Sequence, residues 1–155
     1  MVLSQKSQYA VRAVLELAKR HGSGPVKAAS IAETQCIPIR FLENILGQLR
    51  QAGIVESVRG KEGGYRLGRR PGQLSVGEVI RLVQGPLRAV DCVGGENGSS
   101  AGGGRECALR SGCVLLPMWE KAHRAMMEVY DDATFNDLVE QERAAHESEV
   151  IDYAI

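Results

Sequence analysis

The stretch PIRFLENILGQLRQAGIVESVRGKEGGYRL, residues 38–67, decides the fold. In its first half Leu42, Ile45, Leu46 and Leu49 recur three and four apart. That spacing puts apolar side chains on one stripe of a helix, so residues 38–52 are predicted to be helical. Gly53 stands just past the stripe, where a residue free to adopt left-handed geometry ends a helix. Ile54-Val55-Glu56-Ser57-Val58 is then rich in β-branched side chains, and Tyr65-Arg66-Leu67 returns after Gly60, Gly63 and Gly64. Two such runs around a glycine turn form a β-hairpin.

Upstream, Ala10, Ala13, Val14, Leu17 and Ala18 make a second helical stripe over residues 3–20, stopped by His21-Gly22-Ser23-Gly24-Pro25. A short helix is expected near residues 27–34, with Ile31 and Ala32 facing inward. Cys36-Ile37-Pro38 reads as a tight turn, because a residue before proline is pushed out of helical geometry. Cys36 itself is expected to be a small core residue.

Downstream, Ser75 and Glu78 have the spacing of a capping box that opens a helix through about Gln84. Residues 91–105 read as a loop, with Gly94-Gly95 and Gly102-Gly103-Gly104 around two serines. A long helix is predicted from 114 to 131, and a last one beginning between Thr134 and Asp137 that fades into a charged tail over 142–155. In the long helix Leu115, Trp119, Ala122, Met126, Val129 and Ala133 alternate four and three apart, the seam of two packed helices. Met126 and Met127 are expected as core filler.

Helix, helix, helix, hairpin is the order of a winged helix-turn-helix. The fold class expected is therefore mainly α: a winged helix-turn-helix with a small β-hairpin wing and a long C-terminal dimerisation helix. Residues 1–72 would form the DNA-binding domain, and residues 73–155 the sensor loop and dimerisation helices.

The net charge of zero hides a division. Residues 1–72 carry twelve Lys and Arg against five Asp and Glu, a net +7; residues 73–155 carry seven against fourteen, a net −7. Only the first half is suited to a polyanion. No apolar run reaches the length of a membrane span, and the N-terminus lacks the pattern of a secretory leader, so a cytoplasmic protein is expected. An enzyme is not expected. The three histidines, at 21, 123 and 146, are scattered, and no nucleophile–base pair or dinucleotide fingerprint is present. Gly60-Lys61-Glu62-Gly63-Gly64 lacks the Gly-Lys-Ser/Thr ending of a phosphate-binding loop.

The second and third helices, joined by a short turn, can lay the third in the major groove of duplex DNA. Subtracting its buried stripe leaves Arg40, Glu43, Asn44, Gly47 and Gln51 on the outer face. Arg can fork onto guanine, Asn can pair with adenine, and Glu can accept from the cytosine amino group. Gly47 removes bulk where the helix would approach the duplex. Arg59, Lys61 and Arg66 surround the glycine turn of the wing, where they can meet phosphates or the minor groove. Arg69 and Arg70 extend that basic edge. A winged helix that docks on a protein is the rival, and the basic outer face argues against it.

The residues that carry a family resemblance are now in view. They are Tyr9-Ala10-Val11-Arg12-Ala13, Ile31-Ala32-Glu33, Phe41-Leu42-Glu43-Asn44-Ile45-Leu46 and Leu49-Arg50-Gln51-Ala52-Gly53-Ile54-Val55. Val58-Arg59-Gly60, Gly63-Gly64-Tyr65-Arg66-Leu67, Val76-Gly77-Glu78-Val79-Ile80 and a cysteine-bearing loop before Trp119 continue them. Over about residues 1–140 the chain resembles the winged helix-turn-helix regulators that include IscR, NsrR and CymR. The resemblance implies a homodimer on a palindromic operator, with base contacts at Glu43 and wing contacts at Arg59. It also implies repression switched through three cysteines, here Cys92, Cys107 and Cys113, holding an iron–sulfur cluster. Thiolates suit such centres, and a glycine-rich loop lets backbone amides approach the sulfurs.

The chain departs from the pattern in two ways. The interval from Cys92 to Cys107 is long. Leu116 stands where IscR places a histidine, and Gln8 where NsrR offers a carboxylate. Asp91, Glu106 and His123 remain open as a fourth ligand. Metal-free thiol or metabolite sensing, a zinc site and inert cysteines remain open as alternatives.

Overall fold

The computed structural model describes residues 3–88, 90, 92–93 and 110–152, without the side chains of 148–152. Three helices come first: α1 (Gln5–Lys19), α2 (Ala28–Thr34) and α3 (Ile39–Gln51). Strands β1 (Val55–Val58) and β2 (Gly64–Leu67) follow, then α4 (Val76–Gln84), α5 (Leu116–Asp132) and α6 (Phe135–Asp152). The architecture is the winged helix-turn-helix read from the sequence, followed by helices.

Capping chemistry sets the helix starts. The Ser4 hydroxyl accepts from the Ser7 amide at 3.1 Å and opens α1. Ser75 does the same for Glu78 at 3.2 Å and opens α4. Only that half of the expected capping box forms, because the Glu78 carboxylate is held by Arg69 at 2.5 Å instead.

The two strands pair antiparallel with Val55 opposite Leu67 and Glu56 opposite Arg66. Val55 and Leu67 are buried, while Glu56 and Arg66 meet outside as an ion pair at 2.8 Å. A third segment pins the hairpin to the body: Val26 and Tyr65 exchange two backbone hydrogen bonds, each 2.8 Å. A Cβ on Gly64 would sit 2.4 Å from the Val26 carbonyl oxygen. Glycine is therefore required there by an internal contact, apart from anything the wing touches.

One core runs through the chain. Ala10, Ala13 and Val14 of α1 pack with Leu42, Ile45, Leu46 and Leu49 of α3, and in the same cluster lie Leu74, Val79, Ile80, Phe135 and Val139. The boundary at 72/73 thus marks a change of charge and not a break in packing. Residue 16 adds a polar tie. Glu16 is only 3% exposed, accepts from Arg20 at 3.0 Å and from Gln35 at 3.1 Å, and so joins α1 to the turn before α3.

At the C-terminal end α6 does not fade at 142; it continues to Asp152. Ala144, Ala145 and the Glu and Arg residues of that stretch are good helix formers. Lys19 anchors the helix to α1 through Glu142 at 2.6 Å. Among the described residues no helix is long and apolar enough to cross a membrane.

Candidate nucleic-acid interface

The third helix divides cleanly. Leu42, Ile45, Leu46 and Leu49 have no exposed surface, and on the other side Arg40, Glu43, Asn44 and Gln51 are all exposed. Gly47 lies among them, and a Cβ there would meet nothing within 4 Å. No internal contact asks for glycine at that position, although glycine weakens a helix interior by roughly 0.5–1 kcal/mol.

At the wing tip Gly60 adopts φ +114° and accepts from the Gly63 amide at 3.0 Å. The turn displays Arg59 and Lys61, both exposed. Among the described residues neither of these cations, nor Arg40, has an ion-pair partner. Arg66 and Arg69 differ, since Glu56 and Glu78 neutralise them in part. The field offered to a polyanion therefore centres on Arg40, Arg59 and Lys61. Phe41, which enters the sequence reading only through the family resemblance, is largely exposed and lies beside Lys6, Arg40 and Asn44. Its one sequence signal is an aromatic that falls off the apolar stripe.

Cys36 is a correction. It is exposed rather than buried, and it adopts φ +49° at the turn between α2 and α3. The buried position there belongs to its neighbour Ile37. Cys92 and Cys113 are half-buried free thiols. Arg110, three residues before Cys113, donates to the Cys92 carbonyl at 2.5 Å and so ties the two cysteine segments together. Cys107, Asp91 and Glu106 lie outside the described residues. Among the described residues no group of three or more His, Cys, Asp or Glu is arranged to hold a metal. His123, on α5, has a buried Nδ1 without a hydrogen-bond partner.

Helix α5 spans 17 residues and buries none of them. The expected seam divides between two faces. Met126 packs on the core with Met127, Tyr130 and Ala133, and Trp119 is half-buried. Leu115, Ala122 and Val129 are exposed, and Met118 and Ala125 join them. Residues 115, 118, 122, 125 and 129 thus form an uncovered apolar stripe with three-four spacing.

The family profile of Rrf2, described as an iron-dependent transcriptional regulator, matches residues 3–141. The chain belongs to the Rrf2 family. This Rrf2 protein is 36% identical over 138 residues to the HTH-type transcriptional regulator CymR of Bacillus subtilis, covering 89% of each chain. Identity to the HTH-type transcriptional regulator IscR of Cronobacter sakazakii is 37% over 139 residues, 90% of this chain and 80% of that one. The solved structure of CymR, described as the global cysteine regulator of B. subtilis, matches with a TM-score of 0.75 at 32% identity. That match covers 91% of this chain and 98% of the other. These relatives regulate transcription rather than catalyse reactions, and this Rrf2 chain is a DNA-binding transcriptional regulator.

Proposed function

We propose that the protein is a cytoplasmic homodimeric repressor that reads a palindromic operator and changes its grip through Cys92, Cys107 and Cys113. Residues 1–72 contact the DNA, with Arg40, Glu43, Asn44 and Gln51 on base edges and Arg59, Lys61 and Arg66 on the backbone or minor groove. Residues 73–155 sense and dimerise. The observation that carries this reading is the outer side of α3: Arg40, Glu43, Asn44 and Gln51 stand exposed opposite a fully buried stripe, with Arg40, Arg59 and Lys61 without ion-pair partners among the described residues. The bare Gly47 supports it, since the helix forgoes stability there for no internal reason.

A gel-shift series on matched and mismatched operators tests the division of labour. Arg59→Ala is expected to weaken binding on every sequence and to flatten the salt slope by about one. Glu43→Ala is expected to change sequence preference, erasing a discrimination of roughly 1–3 kcal/mol at one base pair per half-site. Equal losses on all sequences for both variants would defeat the assignment.

An iron–sulfur cluster is the group proposed for the cysteines. Free, half-buried thiols at Cys92 and Cys113, joined through Arg110, suit a soft metal centre, and the unpartnered Nδ1 of His123 on α5 is a candidate donor. When bound, the cluster would supply a centre whose presence depends on iron and oxidant. The chain's own part is to carry that change through α5 to the reading helices. A second reading, thiol chemistry without a metal, is favoured by Leu116 and Gln8 at the positions where IscR and NsrR supply a fourth ligand. Anaerobic purification with iron, sulfide and absorbance measurements separates the two. Cys92→Ala is expected to lose the visible absorbance and most of the iron. Full iron in that variant removes Cys92 from the ligand set; an iron-free wild type favours the thiol reading.

A further inference from the structure

The exposed side of α3 is not wholly polar: Ile39, at its first position, is 42% exposed, and Phe41 is more so. Phe41 is 59% exposed. It lines a cleft of about 350 Å³ with Lys6, Arg40 and Asn44. Asn44 follows three residues later, so the two side chains are neighbours along the helix. Lys6 and Arg40 have no ion-pair partner among the described residues. An exposed aromatic ring shares a cleft with two cations that have no ion-pair partner among the described residues. A complementary partner offers an anion to the cations and an apolar group to the ring.

Duplex DNA has that chemistry. Phosphates line the groove, and the thymine C5-methyl is the apolar group that a base pair presents on the major-groove floor. An apolar protein surface would cover the ring but leave the cations unmatched. We propose that Phe41 is a specificity-determining residue that reads a thymine by packing its ring against the C5-methyl group, with Lys6 on a flanking phosphate. The inference rests on the DNA-reading role of α3 proposed above and adds a methyl contact that no polar side chain of the helix supplies.

The test uses the full chain and the duplexes it selects from a randomised pool. Each thymine of the selected site is replaced in turn by deoxyuridine, which keeps the base pair and removes only the methyl. Wild type, Phe41→Ala and Phe41→Leu are measured on each duplex, and circular dichroism reports their folding. At one thymine per half-site, loss of the methyl is expected to weaken the wild type about fourfold, the effect of one buried methyl-sized group. Phe41→Ala is expected to bind thymine and uracil equally there, and Phe41→Leu to keep part of the difference. The inference is overturned if the wild type tolerates uracil everywhere, if the selected site has no thymine, or if Phe41→Ala keeps the full discrimination. Should Phe41→Ala fail to fold, Phe41→Leu and the wild-type uracil scan decide. A wild type that selects no duplex at all removes the DNA-reading role of α3 itself, which is a different result from a selected site without methyl dependence.

Discussion

Val129→Glu is expected to turn the protein into a monomer and to lower its affinity for a two-half-site operator by at least about a hundredfold. The argument starts from α5, a 17-residue helix that packs one side on its own core through Met126, Met127 and Tyr130 yet has no fully buried residue. Its outer stripe includes Leu115 at 52%, Met118 at 49% and Val129 at 68% exposure. A contiguous exposed apolar stripe of that length marks a surface for a partner to cover. A two-fold interface contains every substitution twice, so one glutamate places two carboxylates in an apolar seam. Linked half-site binding gains roughly 10²–10⁴ over a single half-site, and a monomer forfeits that gain. The same substitution leaves the subunit folded, because the Val129 side chain is largely outside its core. Sedimentation gives the mass, and gel shifts on a palindrome and on one half-site give the affinities. A variant that remains dimeric with full operator affinity would show that the seam lies elsewhere.

How much of this was legible in the sequence depends on whether a feature is local. The stripes of α1 and α3, the Gly53 stop and the glycine-turned hairpin each carry their own period or turn chemistry, and each stands where the residues put it. Features made by distant partners were not legible. Glu16 looks like any surface charge, yet Gln35, nineteen residues on, helps to bury it. A charge count credits the wing with Arg66 and Arg69, but Glu56 and Glu78 neutralise them in part. In α5 one period covers two stripes, so the spacing places Trp119 and Met126 with Leu115, Ala122 and Val129, although Met126 packs on the subunit's own core and Trp119 is half-buried. Cys36 was assigned to the core by residue type, whereas its left-handed turn geometry leaves it exposed. The segment from 94 to 109 has no period at all, so only Cys107 could speak for it.

Gly64→Ala is the second substitution with a large expected effect, and it separates two uses of glycine. The added Cβ would meet the Val26 carbonyl oxygen at 2.4 Å, its carbon at 2.6 Å and the Lys27 amide nitrogen at 3.0 Å, all backbone atoms. Nothing there can rotate aside. The hairpin must move off residue 26, and the paired 2.8 Å hydrogen bonds between Val26 and Tyr65 break. Two backbone bonds at about 0.5–1.5 kcal/mol each, with overpacking at about 1–3 kcal/mol, give a loss of roughly 2–6 kcal/mol. For a chain of this size that lowers Tm by about 4–24 °C. Operator affinity should fall with it, because Arg59 and Lys61 ride on the displaced turn. Gly47→Ala serves as the control. Open space surrounds that position, so alanine should stabilise the helix by about 0.5–1 kcal/mol while obstructing the approach of DNA. Thermal melts beside gel shifts distinguish the cases: one variant loses stability and binding together, the other gains stability as it loses binding. If Gly64→Ala melts with the wild type, the contact with Val26 does not hold the wing; if Gly47→Ala binds the operator at full strength, the duplex does not pass close to that turn of α3.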